Sequence, residues 1–75
     1  MMNLKKFRIE KGYTQKELAL ISGVPLRTVQ QYESKARNID GASLKTLTSL
    51  ALTLDVKFHD LLEDEDLKTK VKLTV

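Results

Sequence analysis

The sequence has no cysteine, one histidine, one proline and three glycines in 75 residues. Without cysteine there is no disulfide framework and no thiolate metal site. His59, with only Asp60 beside it, cannot assemble a metal centre or a catalytic triad, and is expected on the solvated surface. No stretch approaches the ~20 consecutive apolar residues that span a bilayer. Residues 1–7 carry lysines with no apolar run behind them, so no secretion signal is expected and the chain is read as cytoplasmic. These shortages point away from an enzyme, and no cofactor is expected. What remains is a mixed-charge chain with 41% hydrophobic residues, the composition of a soluble globular protein. At this length it is one domain with a small core, since such chains bury only about 60% of their unfolded surface.

Charge is unevenly placed. Residues 1–40 carry eight Lys/Arg against four Asp/Glu, a net +4. Residues 41–66 carry two against six, a net −4, and residues 67–75 carry three lysines and no acid. The basic front half is the footprint of a phosphate-facing surface.

The scarce glycine and proline punctuate one informative stretch, residues 14–33, TQKELALISGVPLRTVQQYE. Thr14 followed by Glu17 is a capping box, and Tyr13 with Leu18 is the matching hydrophobic staple, so a helix begins at Gln15. Gly23 tolerates the positive φ that closes a helix, and Pro25, which lacks an N–H, suits the opening of the next. In that second helix Val29 and Tyr32 share one face. Leu26, Arg27, Gln30 and Gln31 lie on the other. A helix fits the major groove of B-DNA. There Arg pairs with guanine and Gln with adenine, each through two hydrogen bonds.

The segment resembles the lambda-repressor/Cro-like (XRE) helix-turn-helix family. The likeness is carried by residues 11–19 (KGYTQKELA), 23–29 (GVPLRTV) and Tyr32-Glu33, and it extends from about Leu4 to Leu62. The resemblance implies that Leu26, Arg27 and Gln31 are base readers, with Gln30 a secondary one. Leu26, apolar where a polar reader is common, is suited to a thymine methyl. It also implies that Gln15 bonds a phosphate, and that Arg8 forms an ion pair with Glu33 that fixes the first helix to the third. Two departures stand out. Pro25 replaces the usual Ser/Thr cap, and Lys35 stands where many members carry Gly.

The rest of the chain fits an all-α, five-helix lambda-repressor-like domain over residues 1–63. The helices are expected at 3–11, 15–21, 25–34, 44–54 and 58–63. Leu4, Phe7, Leu18, Ile21, Leu44, Leu47, Leu50, Ala51, Leu54, Phe58, Leu61 and Leu62 are expected inward. Ser43 is a fair cap for the fourth helix, and Asp55 sits where Gly or Asn would ease its end. Residues 35–42 read as a loop, turned at Asp40-Gly41, whose Lys35, Arg37 and Asn38 grip the DNA backbone and set affinity and register.

Residues 64–75 read as an acidic, flexible linker and a short β arm. Leu67, Thr69, Val71, Leu73 and Val75 alternate with polar residues at the period of a half-buried strand. A lone strand cannot satisfy its own backbone. The tail therefore pairs with its copy in a homodimer, docks on a partner protein, or stays disordered. Leu52, Val71, Leu73 and Val75 are the candidate dimer or partner contacts. The expected function is sequence-specific binding of double-stranded DNA by a transcriptional regulator, a repressor acting as a homodimer on a near-palindromic operator. The alternatives are an antitoxin whose tail binds a toxin, and a protein-interaction module with no DNA role.

Overall fold

The computed structural model describes residues 2–74, and within them the chain is built from helices with no strand. Five α-helices follow in order: α1 (Asn3–Glu10), α2 (Gln15–Ser22), α3 (Leu26–Glu33), α4 (Leu44–Leu54) and α5 (Glu65–Thr74). Short 3-10 turns at Ile39–Gly41 and Phe58–Leu61 join α3 to α4 and α4 to α5.

The local signals act where the residues place them. Thr14 Oγ1 accepts from the Glu17 N–H at 3.1 Å, and the Glu17 carboxylate accepts from the Thr14 N–H at 2.9 Å. The Thr14 backbone bond, and after it the Thr14 side chain, hold the Glu17 carboxyl below its ordinary value. This contribution is complete above the ordinary carboxylate pKa and is lost as pH falls through the lowered one. Gly12 and Gly23 take φ of 77° and 76°, the left-handed geometry that ends α1 and α2. Two non-glycine residues adopt the same region: Lys35 after α3 (φ 65°) and Asp55 after α4 (φ 56°).

The core is a single cluster. Leu4 of α1, Leu18 and Ala19 of α2, Val29 and Tyr32 of α3, and Leu47, Leu50, Ala51 and Leu54 of α4 meet Leu61 and Leu62. Ile39, alone in a polar loop, is also buried and plugs the gap between the loop and the core. Ile21 and Leu44, expected inward, are instead 55% and 66% exposed. The inward arc of the two-turn α2 is filled by Leu18 and Ala19, and Leu44 precedes the first turn of α4 that reaches the core.

The C-terminal segment departs most from expectation. Residues 65–74 form the helix α5, and no β arm exists among the described residues. Alternation and helical spacing coincide here, because Leu67 and Val71 are four apart as well as even-numbered steps apart. Both pack against the core. A helix satisfies its own backbone groups where a partnerless strand cannot. The acidic run is not a free linker either. Asp64 Oδ1 accepts from the N–H groups of Asp66 (2.9 Å) and Leu67 (3.1 Å), capping α5. Glu65 and Asp66 occupy its first turn and Lys72 its last, which matches the helix dipole.

His59 also moves from its expected place. It is 7% exposed, with Nε2 3.6 Å from Asp60 Oδ1 and its ring edge-on to Phe58. The turn that carries it, Phe58–Leu61, is a 3-10 helix packed on the core and not the α-helix expected over 58–63.

Asp55 offers a clean test of the helix ends. Asp55→Gly relieves the left-handed cost, less the added freedom of the unfolded chain, and is expected to raise stability by roughly 0.5–1 kcal/mol. Urea unfolding reads this directly; a lower midpoint would mean that the Asp55 side chain contributes something its backbone geometry does not reveal.

Candidate nucleic-acid interface

At the centre of the α1–α2–α3 junction lies a charged node. The Glu33 side chain is 4% exposed and that of Arg8 12%. Arg8 Nε donates to Glu33 Oε2 at 2.7 Å, and its Nη2 donates to Oε1 at 3.0 Å, a two-pronged pair. The third guanidinium corner, Nη1, donates to the Tyr13 carbonyl at 2.7 Å. Gln15 Nε2 adds a further bond to Glu33 Oε1 at 3.1 Å. The end of α3 is thereby tied to α1, to the α1–α2 turn and to the start of α2. Among the described residues no buried side-chain polar atom lacks a partner. A buried pair is sound only when its hydrogen-bonding capacity is filled in this way.

The opposite face of α3 is open. At about 100° per residue, Leu26, Arg27, Gln30 and Gln31 span an arc of about 140°, while Val29 and Tyr32 occupy the buried side. Arg27 and Gln30 are exposed and Gln31 is half-buried. Among the described residues, none forms a hydrogen bond or ion pair with the Arg27, Gln30 or Gln31 side chains. Leu26 is 36% exposed at the head of the helix. Pro25 takes the N-cap position with no side-chain cap, so the first N–H groups of α3 have no side-chain acceptor there.

The residues expected to meet phosphate fall into two groups. Lys35, Arg37 and Asn38 are exposed on the loop that leaves α3. The loop is folded back by bonds from Lys35 N–H to the Tyr32 carbonyl and from Arg37 N–H to the Gln31 carbonyl, both 3.1 Å. The Arg37 guanidinium lies 5.6 Å from the Tyr32 ring centre, a cation–π contact that limits its swing. Asn38 Oδ1 accepts from the Asp40 N–H at 2.9 Å, which leaves its amide N–H groups as the donors available outward. Gln15 is placed differently, with one amide hydrogen committed to Glu33 and the Glu17 carboxylate close by at the start of α2.

A crevice between the α2–α3 turn and the start of α4 adds residues that motif reading did not single out. Its walls include Thr28, Arg37, Ser43, Lys45 and Thr46, and no carboxylate lines it. Two cations, several hydroxyls and no acid make a surface suited to phosphate oxygens. The signal in the sequence was faint, a single lysine two residues after the Ser43 cap.

Of the expected dimer or partner contacts, Leu52 on α4 and Leu73 on α5 are 77% and 83% exposed, whereas Val71 is half-buried against its own core. Val75 lies outside the described residues.

A short helix whose free polar face stands beside a basic loop, fixed from behind by a buried ion pair, defines a helix-turn-helix DNA-binding protein. A family model for helix-turn-helix proteins matches residues 4–61, and the chain belongs to that family in its lambda-repressor/Cro-like (XRE) form. Searches of curated proteins and of solved structures gave no significant match. Membership makes the chain a DNA-binding regulator of transcription whose ligand is double-stranded DNA. Among the described residues no helix is long and apolar enough to cross a membrane.

The node predicts a large mutational asymmetry. Glu33→Ala strands a largely buried Arg8 and should cost about 3 kcal/mol in urea unfolding. Replacing both partners, Arg8→Met with Glu33→Leu, should restore most of that loss. If Glu33→Ala cost under ~1 kcal/mol, the pair would be no stronger than an exposed surface bridge.

Proposed function

We propose that this chain is a cytoplasmic repressor that acts as a homodimer on a near-palindromic operator and blocks transcription by occupancy. The observation that carries the reading is the α3 face, where the Arg27, Gln30 and Gln31 side chains have no hydrogen-bond or ion-pair partner among the described residues. Arg27 and Gln31 would read base edges in the major groove, Leu26 a thymine methyl, and Gln30 a neighbouring base. Lys35, Arg37 and Asn38 would hold the backbone beside the groove, and Gln15 would offer its second amide hydrogen to a phosphate.

Size supports two copies. The chain extends 32 × 24 × 22 Å and presents one recognition helix, which covers only a few base pairs. Successive major grooves on one face of B-DNA are about 34 Å apart, so two copies side by side would set equivalent helices at the right interval. The exposed leucines Leu52 and Leu73 are candidate contacts between copies. A second reading draws on the same tail. Leu73 stands exposed on a lysine-bearing helix, a surface that would equally suit an acidic partner protein, as in an antitoxin.

Selection from a randomised duplex pool at near-physiological salt, followed by sequencing, tests the proposal. It should enrich a two-fold symmetric motif with half-sites about one helical turn apart. Enrichment of a single half-site would overturn the homodimer. Retention without any enriched sequence would overturn specific reading and favour a chain that needs a partner before it selects DNA.

A further inference from the structure

Asp40 lies in the basic loop, and with Glu63 and Asp64 it lines one crevice beside Lys35 and Arg37. Its Oδ1 accepts from the Glu63 N–H at 2.7 Å and its Oδ2 from the Asp64 N–H at 3.0 Å. Both oxygens of one carboxylate are therefore spent on the backbone that opens α5, 23 and 24 residues further along the chain. Charge-assisted bonds of this kind are among the stronger ones available to a loop. The same backbone is held from the other side. Glu63 Oε1 accepts from the Asn3 N–H at 3.2 Å, and Asn3 Nδ2 donates to the Leu62 carbonyl at 2.8 Å. Met2, which precedes α1, offers no side-chain cap, so Glu63 supplies one from a distance. Ile39, next to Asp40, is 2% exposed and anchors the loop from beneath, while Asn38 braces the Asp40 N–H. Three chain segments, the start of α1, the α3–α4 loop and the run that opens α5, are thus tied together through residues 62–64.

Position makes the feature informative. Asp40 is two residues from Asn38 and three from Arg37, within a loop whose other charges, Lys35 and Arg37, are basic. A carboxylate placed so close to a phosphate-facing surface opposes DNA binding through its charge. Held geometry is what it gives in exchange.

We propose that Asp40 is a positioning residue for DNA binding: it fixes the loop bearing Lys35, Arg37 and Asn38 by clamping it to the chain that opens α5. The proposal rests on the reading that this loop meets the phosphate backbone. It adds that the loop and the tail helix are linked. DNA that orders the loop also holds the Glu63 and Asp64 amides in place, and by reciprocity a partner that pulls α5 away loosens the grip on DNA. A ligand on the tail thus has a route to the operator that does not require contact with α3.

Charge and positioning predict opposite signs for one substitution, which makes the test decisive. Asp40→Asn removes a negative charge near phosphate but turns one acceptor into a donor facing a backbone N–H. On duplex taken from the randomised pool it should bind more weakly than the unaltered chain by on the order of fivefold, the low end of ordinary coupling between sites. Glu65→Gln, which removes an equal charge from an exposed position on α5 outside the clamp, should bind equally or more tightly. Arg37→Ala is measured alongside. If Arg37→Ala weakens binding and Asp40→Asn leaves it unchanged or tighter, the clamp is irrelevant and the inference falls while the loop reading stands. If Arg37→Ala binds every duplex like the unaltered chain, the loop does not face phosphate, and the reading falls together with the inference. A second measurement needs no variant and stands even if Asp40→Asn does not fold. Hydrogen exchange at the Glu63 and Asp64 amides should slow when the unaltered chain is saturated with duplex. Unchanged exchange at both would overturn the linkage.

Discussion

Glu33 carries a charge at a site almost closed to water, and the junction of α1, α2 and α3 is arranged around neutralising it. An isolated buried carboxylate is costly enough to unfold a domain of this size, whose whole stability is a few kcal/mol. Arg8 answers it with two parallel bonds and spends its third corner on the Tyr13 carbonyl, while Gln15 contributes another donor. The consequence is directional. Because Glu33 is the last residue of α3, satisfying it fixes where that helix ends relative to α1 and α2. The free face of α3 is consequently presented at a set angle. Hydrophobic packing of Val29 and Tyr32 alone is non-directional and would define that angle less sharply.

The same economy appears across the small core. Few apolar residues are available, so polar groups acting over long sequence distances complete it. Asp40 and Glu63 hold backbone N–H groups that the helices themselves leave open, and Asn3 closes the return to Leu62. These bonds lie at the perimeter, between elements, where a 75-residue chain has little surface left to bury. The two positive-φ residues, Lys35 and Asp55, fit the same picture. The chain must turn at those points, and local backbone bonds, from Lys35 N–H to the Tyr32 carbonyl and from Val56 N–H to the Ala51 carbonyl, close the turn without glycine.

Legibility in the sequence followed the range of the interactions. The start of α2 could be read from Thr14, Glu17 and the Tyr13/Leu18 staple because a capping box is a local object. The α2–α3 turn could be read from Gly23 and Pro25 for the same reason. The candidate base-reading face followed from helical period once α3 was placed. The pairing of Arg8 with Glu33, 25 residues apart, came only through family resemblance, since no local rule joins them. Ile39 was not legible as core, because one apolar residue among KARN and DGA carries no period. The clamp at Asp40 was hidden behind an ordinary turn signal. The tail was misread for a definite reason: alternation over 67–75 satisfies a strand pattern, while Leu67 and Val71 at a spacing of four satisfy a helix. What separates the two is the Asp64 cap and a core face available for docking, neither of which a periodicity count contains. The burial of His59 was not legible because nothing local marks the turn Phe58–Leu61 as one that packs on the core along both its apolar residues and its histidine.

Fixing α3 from behind is useful only if its outer face reads bases while the neighbouring loop reads backbone. The most direct measurement is the affinity of Arg27→Ala and Arg37→Ala for a selected duplex and a scrambled one, across a range of salt. If α3 reads sequence, Arg27→Ala loses ~1–3 kcal/mol on the selected duplex, loses little on the scrambled one, and relaxes preference at one base pair. Arg37→Ala should then weaken both duplexes alike and lower the salt slope by about 1. Equal losses on both duplexes for Arg27→Ala would contradict the assignment of α3 as the reading helix.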